Sequence, residues 1–177
     1  PRSFENMEEF LLEPLDVVSI CTPPQMHAPA AEAALRSGKH VLVEKPMTLT
    51  AEEGRSLEVI ADEMGVILCP AHNFLFSRSV QRAESLLRQG KAGEIQWAMG
   101  IQLSSWSRRL PSWFDELPGS LFFDEAPHLL YLMKHFLGDL RLEHSWLTTN
   151  SNSSSSRMER REVRLSGQQN NGYLATW

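Results

Sequence analysis

The 177-residue sequence has only two cysteines, an excess of acid over base, no apolar run near the roughly 20 residues that a membrane span requires, and no Gly-x-Gly-x-x-Gly turn. Each absence excludes something. Cys21 and Cys69 end two predicted parallel strands with a third strand between them, so two strand spacings set them about 9 to 10 Å apart, beyond disulfide reach. Two cysteines without nearby paired ligands also make a poor zinc site, and no metal is expected. Lys and Arg number 17 against 22 Asp and Glu, for a net charge of -5 and a pI near 5.7, with the basic residues scattered. A nucleic-acid or anionic-membrane surface would need a basic footprint, so neither partner is expected. The first ten residues lack the basic and apolar regions of a signal peptide, which makes the cytoplasm the expected location.

The residues present build a core, since 42% are hydrophobic in a chain of this length. Residues 16–46 read as a buried strand (16–21), a Pro-rich turn, a helix (about 29–37) closed by Gly38, and a second buried strand (40–44). That spacing suits a βαβ unit and hence a parallel sheet. Ahead of it, Phe4, Met7, Phe10, Leu11 and Leu12 have roughly helical spacing. Behind it, Thr50-Ala-Glu-Glu53 is a capping box opening a helix whose apolar face is Leu57, Ile60, Ala61 and Met64; Gly65 ends it, and 66–69 is a third strand.

Pro70-Ala71-His72-Asn73 marks the end of the parallel pattern, placing one domain at 1–72 and a second at 73–177. The second reads as a helix (77–89), an alternating strand (95–104), a loop-like stretch (105–119), an apolar helix over Leu121–Leu137, and strands at Leu140–Thr149, 162–165 and 173–177. Residues 150–156 are serine and asparagine apart from nothing else, a composition that buries no apolar surface and serves as a connection.

Ligands of open parallel sheets bind beyond the carboxyl ends of the strands. Here those ends carry Cys21, Thr22, Pro23 and His27 after the first strand and Glu44, Lys45 and Pro46 after the second. A lysine between a carboxylate and a proline is a candidate reactive ammonium, or simply a surface cation beside a strand stop. In the second domain, Asp124 and His128 are four apart on one helix face, where a carboxylate can orient an imidazole as a general base. The structural alternative is that Asp124 caps the helix and Pro127 lies in its first turn.

The combination Thr-Pro-x-x-x-His, Gly-Lys-His-Val and Glu-Lys-Pro, at Thr22 to His27, Gly38 to Val41 and Glu44 to Pro46, resembles the second half of the nucleotide-binding domain in the Gfo/Idh/MocA oxidoreductase family. The family's Asp-x-Gly-x-His segment is matched at Asp124 and His128, with Ala126 and Pro127 as departures, and Leu75 stands where the family often has arginine, with Arg78 as a possible substitute.

The resemblance implies an α/β chain: the C-terminal half of a Rossmann-type parallel sheet, then an α+β domain with a mostly antiparallel sheet. It implies NAD or NADP as cofactor, contacted by Cys21, Thr22, Pro23, His27, Glu44, Lys45 and Pro46. It further implies hydride transfer at a secondary alcohol of a sugar, inositol or related polyol, with His128 as acid/base, Asp124 orienting it and Lys45 polarising the oxygen. Asn73, Trp106 and Trp113 are candidate substrate contacts, the aromatic pair by stacking on a sugar ring. A homo-oligomer, dimer or tetramer, is expected through the open sheet face. The other readings are a redox-neutral hydrolase or lyase with tightly held nicotinamide, and a non-catalytic sensor or scaffold. Because the Gly-rich pyrophosphate turn is absent, the sequence reads as a fragment truncated at both ends, expected to be poorly folded alone and to bind no cofactor at sub-millimolar concentration.

Overall fold

The computed structural model describes residues 2–102, 111–117, 121–149, 159–167 and 171–176. The chain divides into two compact units, Pro1–Ala71 and His72–Trp177.

The first unit contains α1 (Met7–Leu11), β1 (Val17–Ile20), α2 (His27–Arg36), β2 (His40–Val43), α3 (Ala51–Met64) and β3 (Leu68–Pro70). Its sheet has the order β1-β2-β3, and both pairings are parallel. Strand alternation sends Val18, Ile20, Val41 and Val43 to one face, where they are almost completely buried. Ala31, Ala34 and Leu35 of α2 and Leu57, Ile60 and Ala61 of α3 pack there as one cluster. Alanines at the contact let α2 approach closely, and deleting a fully buried side chain such as Leu35 to alanine costs about 2 to 5 kcal/mol.

The predicted helix starts were largely realised, with instructive differences. The capping box at the start of α3 is complete, with Glu53 N donating to Thr50 Oγ1 at 3.2 Å and Thr50 N to Glu53 Oε2 at 3.1 Å. Gly65, at φ 65°, supplies the left-handed turn that closes it. The helix expected from residue 29 begins two residues earlier, at His27, directly after a 3-10 turn over Pro24–Met26. Pro29 is tolerated because the first four helical N–H groups have no intrahelical acceptor to lose. The strand expected at 66–69 is shifted to Leu68–Pro70 because the earlier donors are committed elsewhere: Val66 N to Ala61 O at 3.0 Å and Ile67 N to His40 Nδ1 at 2.9 Å.

The second unit contains α4 (Arg78–Arg88), β4 (Trp97–Gln102), α5 (Leu121–Leu137), β5 (Leu140–Thr149), β6 (Glu159–Gly167) and β7 (Asn171–Thr176), with 3-10 turns at Asn73–Phe76 and Ser112–Glu116. The order β4-β7-β6-β5 is antiparallel except for the parallel β4-β7 pair. α5 lies on one face of this sheet through Ala126, Met133 and Leu137, joined by Ala98, Leu129, Leu130 and Leu140. Gly100 makes the approach possible: a Cβ there would stand 3.2 Å from both Leu129 Cδ2 and Met133 Cε. The opposite face of β4 presents Trp97, Met99 and Ile101, which are 63%, 57% and 48% exposed.

The capping alternative for Asp124 is corrected here. α5 begins at Leu121, so Asp124 lies inside its first turn rather than at a cap, and Pro127 lies in the helix interior. Lacking an N–H, Pro127 gives the Phe123 carbonyl no helical donor.

Candidate functional site

At the carboxyl ends of β1 and β2, backbone pairing brings two short segments together. Glu44 N donates to Ile20 O at 2.9 Å, which extends the β1-β2 ladder one residue past both strands. Cys21, Thr22, Pro23 and Glu44 are exposed at this end, and Lys45 is half-buried, with its backbone N donating to Glu44 Oε2 at 3.3 Å. The Lys45-Pro46 peptide is cis.

His27 is the residue that joins the segments. Its Nδ1 is 2.7 Å from the Pro46 carbonyl oxygen and its Nε2 is 2.8 Å from that of Thr22, and the side chain is 1% exposed. The expectation that His27 lines the ligand crevice is therefore corrected. With both ring nitrogens turned to backbone carbonyls, it acts by holding the Thr22-Pro23 and Lys45-Pro46 turns beside each other. Pro46 is likewise buried, and its carbonyl serves this brace. The side chains left at the surface, Thr22, Pro23, Glu44 and Lys45, are those that fit a ligand lying across the strand ends. Cys21 and Cys69 are free and exposed, and Cys21 Sγ is 3.6 Å from Ser19 Oγ. No group of three metal-ligating side chains occurs among the described residues.

The second unit has its own cluster, built where α5 meets the 3-10 turn Asn73–Phe76. Residues three apart on a helix share a face, and His128 Nδ1 accordingly reaches Tyr131 Oη at 2.8 Å. The same hydroxyl accepts from Phe74 N at 3.2 Å and donates to Asn73 Oδ1 at 3.4 Å. The rings are fixed by stacking: His72 on Tyr131 at 4.2 Å and 20°, and Phe74 on His128 at 4.3 Å and 16°. Burial lowers the pKa of His72 from its ordinary value, so it stacks as a neutral ring at pH 7.

Asp124 and Glu125 are buried in α5 beside Ala126, one turn before His128. Asn73 is exposed and engaged with Tyr131, and Trp113 is half-buried in the turn Ser112–Glu116. Trp106 lies outside the described residues. Leu75 is half-buried within its turn, while Arg78 is exposed at the start of α4.

Sequence reasoning missed Tyr131, His72 and Phe74. The 128/131 spacing was the available signal, but a tyrosine in an apolar helix reads first as core. Among the described residues no helix is long and apolar enough to cross a membrane.

Known proteins match this arrangement. The chain is 34% identical over 123 residues to 1-carboxy-3-chloro-3,4-dihydroxycyclohexa-1,5-diene dehydrogenase of Comamonas testosteroni, covering 68% of this chain and 31% of that protein. It is 38% identical over 91 residues to the scyllo-inositol 2-dehydrogenase (NADP(+)) IolW of Bacillus subtilis, covering 51% of this chain and 25% of that one. The chain thus spans about a third or less of the length of these curated relatives. A solved levoglucosan dehydrogenase, in complex with NADH and levoglucosan, superposes with a TM-score of 0.85 over 98% of this chain and 50% of its own, at 21% identity, a likeness that carries the fold alone. Residues 1–72 match the family model described as an oxidoreductase family with an NAD-binding Rossmann fold, and with these relatives that match shows that the chain belongs to the Gfo/Idh/MocA family of oxidoreductases.

Proposed function

We propose that this protein transfers a hydride between a nicotinamide cofactor, NAD or NADP, and a secondary alcohol carbon of a sugar, inositol or related polyol. The observation that carries the reading is the paired strand ends of the first unit. There a buried histidine holds two turns together and leaves Thr22, Pro23, Glu44 and Lys45 at the ligand-binding end of a parallel sheet. The family match over those residues, and relatives named as dehydrogenases of scyllo-inositol and levoglucosan, support the cofactor and the substrate class.

Residues of the first turn, Thr22 and Pro23, together with Glu44, fit the nicotinamide and ribose end of the cofactor. When bound, that cofactor supplies the hydride acceptor for the carbinol carbon. Everything else in the oxidation falls to the protein, because the alcohol must also lose its hydroxyl proton as the C=O bond forms. Lys45 is assigned to the oxygen, where an ammonium stabilises the negative charge that develops as the proton leaves. His128 is assigned as the base that takes the proton, and the buried Asp124 carboxylate as the group that favours the resulting imidazolium. Asn73 and Trp113 are assigned to substrate contact. We further propose a homo-oligomer formed through the exposed Trp97, Met99 and Ile101 face.

The test is a panel of inositols, sugars and polyols with NAD and with NADP, followed by the absorbance of the reduced nicotinamide. Turnover of a polyol or sugar is expected. Bound cofactor that stays unreduced with every substrate would overturn the reading in favour of a sensor or scaffold. Reduced cofactor retained through a net hydrolysis or elimination would favour the redox-neutral class.

A further inference from the structure

We propose that Tyr131 is a positioning residue that sets the tautomer of His128, holding the proton on Nδ1 and leaving the basic lone pair on Nε2. The proposal deepens the assignment of His128 as the base, and it rests on the geometry around one hydroxyl. A phenol has one proton to donate and two lone pairs to accept with. Tyr131 Oη meets three polar groups at bonding distance: Phe74 N at 3.2 Å, Asn73 Oδ1 at 3.4 Å and His128 Nδ1 at 2.8 Å. Phe74 N–H can only donate, so it takes one lone pair. Asn73 Oδ1 can only accept, so it takes the phenolic proton. The second lone pair then faces Nδ1, and the contact is bonding only if Nδ1 carries hydrogen.

Which nitrogen of a neutral imidazole is protonated is set by the partner of the other, and here that partner is fixed on every side. Tyr131 is 7% exposed and its ring is stacked on His72, while the His128 ring is stacked on Phe74 and stands at 72° to Tyr131. Neither ring can turn to exchange its bonding atom without breaking a stack. His72, kept neutral by burial, adds no cation beside the hydroxyl that would alter the balance. Any proton that His128 accepts is consequently taken at Nε2. Asn73 acquires a second function in the process: its carbonyl oxygen determines which way the hydroxyl points.

The tautomer is directly visible in long-range proton-nitrogen NMR spectra of the histidine rings, recorded at alkaline pH. The sequence has six histidines, and His128→Gln identifies the signal. The Nδ1–H pattern is expected in the unmodified protein. Tyr131→Phe keeps the ring and both stacks but removes the acceptor, and His128 should revert to the Nε2–H form that imidazole prefers in water. Asn73→Leu leaves the buried tyrosine in place and frees its proton for Nδ1, so the tautomer should invert there too. Asn73→Asp, which can only accept, should retain Nδ1–H. An Nε2–H pattern in the unmodified protein, or an Nδ1–H pattern that persists in Tyr131→Phe and Asn73→Leu, would overturn the proposal. Turnover is not part of the readout, so failure of the dehydrogenase reading would leave this result standing.

Discussion

Replacing His27 with phenylalanine should destabilise the first unit far more than loss of a surface histidine does. The substitution keeps a ring of similar size in a site that is 1% exposed, so packing changes little. What it removes is hydrogen bonding to the Pro46 and Thr22 carbonyls, now 2.7 and 2.8 Å from the ring nitrogens. A buried polar group left without a partner costs about 1 to 3 kcal/mol. A neutral imidazole donates to one of the two carbonyls, which sets the expected loss at about 1 to 3 kcal/mol, and donation to both would double it to about 2 to 6 kcal/mol. For comparison, surface substitutions usually stay within about 0.5 kcal/mol.

The measurement is denaturant unfolding, with amide exchange to localise the effect to the β1 and β2 ends. Two amide variants separate the two bonds. Asn places its NH2 near the Nδ1 position and should restore the Pro46 bond, while Gln reaches toward the Nε2 position and should restore that to Thr22. Partial recovery in one of them identifies the dominant donor. A loss below about 0.5 kcal/mol in His27→Phe, with unchanged protection at both turns, would refute the brace.

Lys45→Met preserves the stem and removes the charge, so turnover should fall about 10²-fold or more with little change in cofactor affinity; near-normal turnover would remove Lys45 from the chemistry. His72, with its folded pKa lowered by burial, contributes stability that is fully present above the unfolded value of about 6.5 and is lost as pH falls from there toward the folded value, because the unfolded chain takes the proton first. Unfolding measured across that window should show a fall that is smaller in His72→Phe, and identical slopes in the two proteins would contradict it. The exposed β4 face predicts self-association: Met99→Glu should shift the sedimentation of the protein toward monomer at micromolar concentration, and an unmodified protein that is already monomeric would contradict it.

Much of the first unit was legible because its information is local. Alternating valines, the Thr50/Glu53 box and Gly65 each dictate backbone geometry through neighbours a few residues away, and the structure contains them all. The Thr-Pro-x-x-x-His and Glu-Lys-Pro motifs also marked the correct end of the sheet. What they could not show was the division of labour among them. Whether His27 meets a ligand or a carbonyl depends on the distance between two turns 19 residues apart, which only the β1-β2 register sets.

The second unit makes the same point about faces. Read along β4, Trp97, Met99 and Ile101 are the obvious core and Ala98 and Gly100 the weak side. The tertiary structure inverts this, because a helix packs closest where side chains are smallest, and α5 takes the Ala98/Gly100 face. Tyr131 follows the same logic. Sequence alone determined that it shares a helix face with His128. That its hydroxyl meets Asn73 and Phe74, 58 and 57 residues away, was decided by the fold bringing the 3-10 turn against α5, since polar contacts at that separation have no periodicity to announce them.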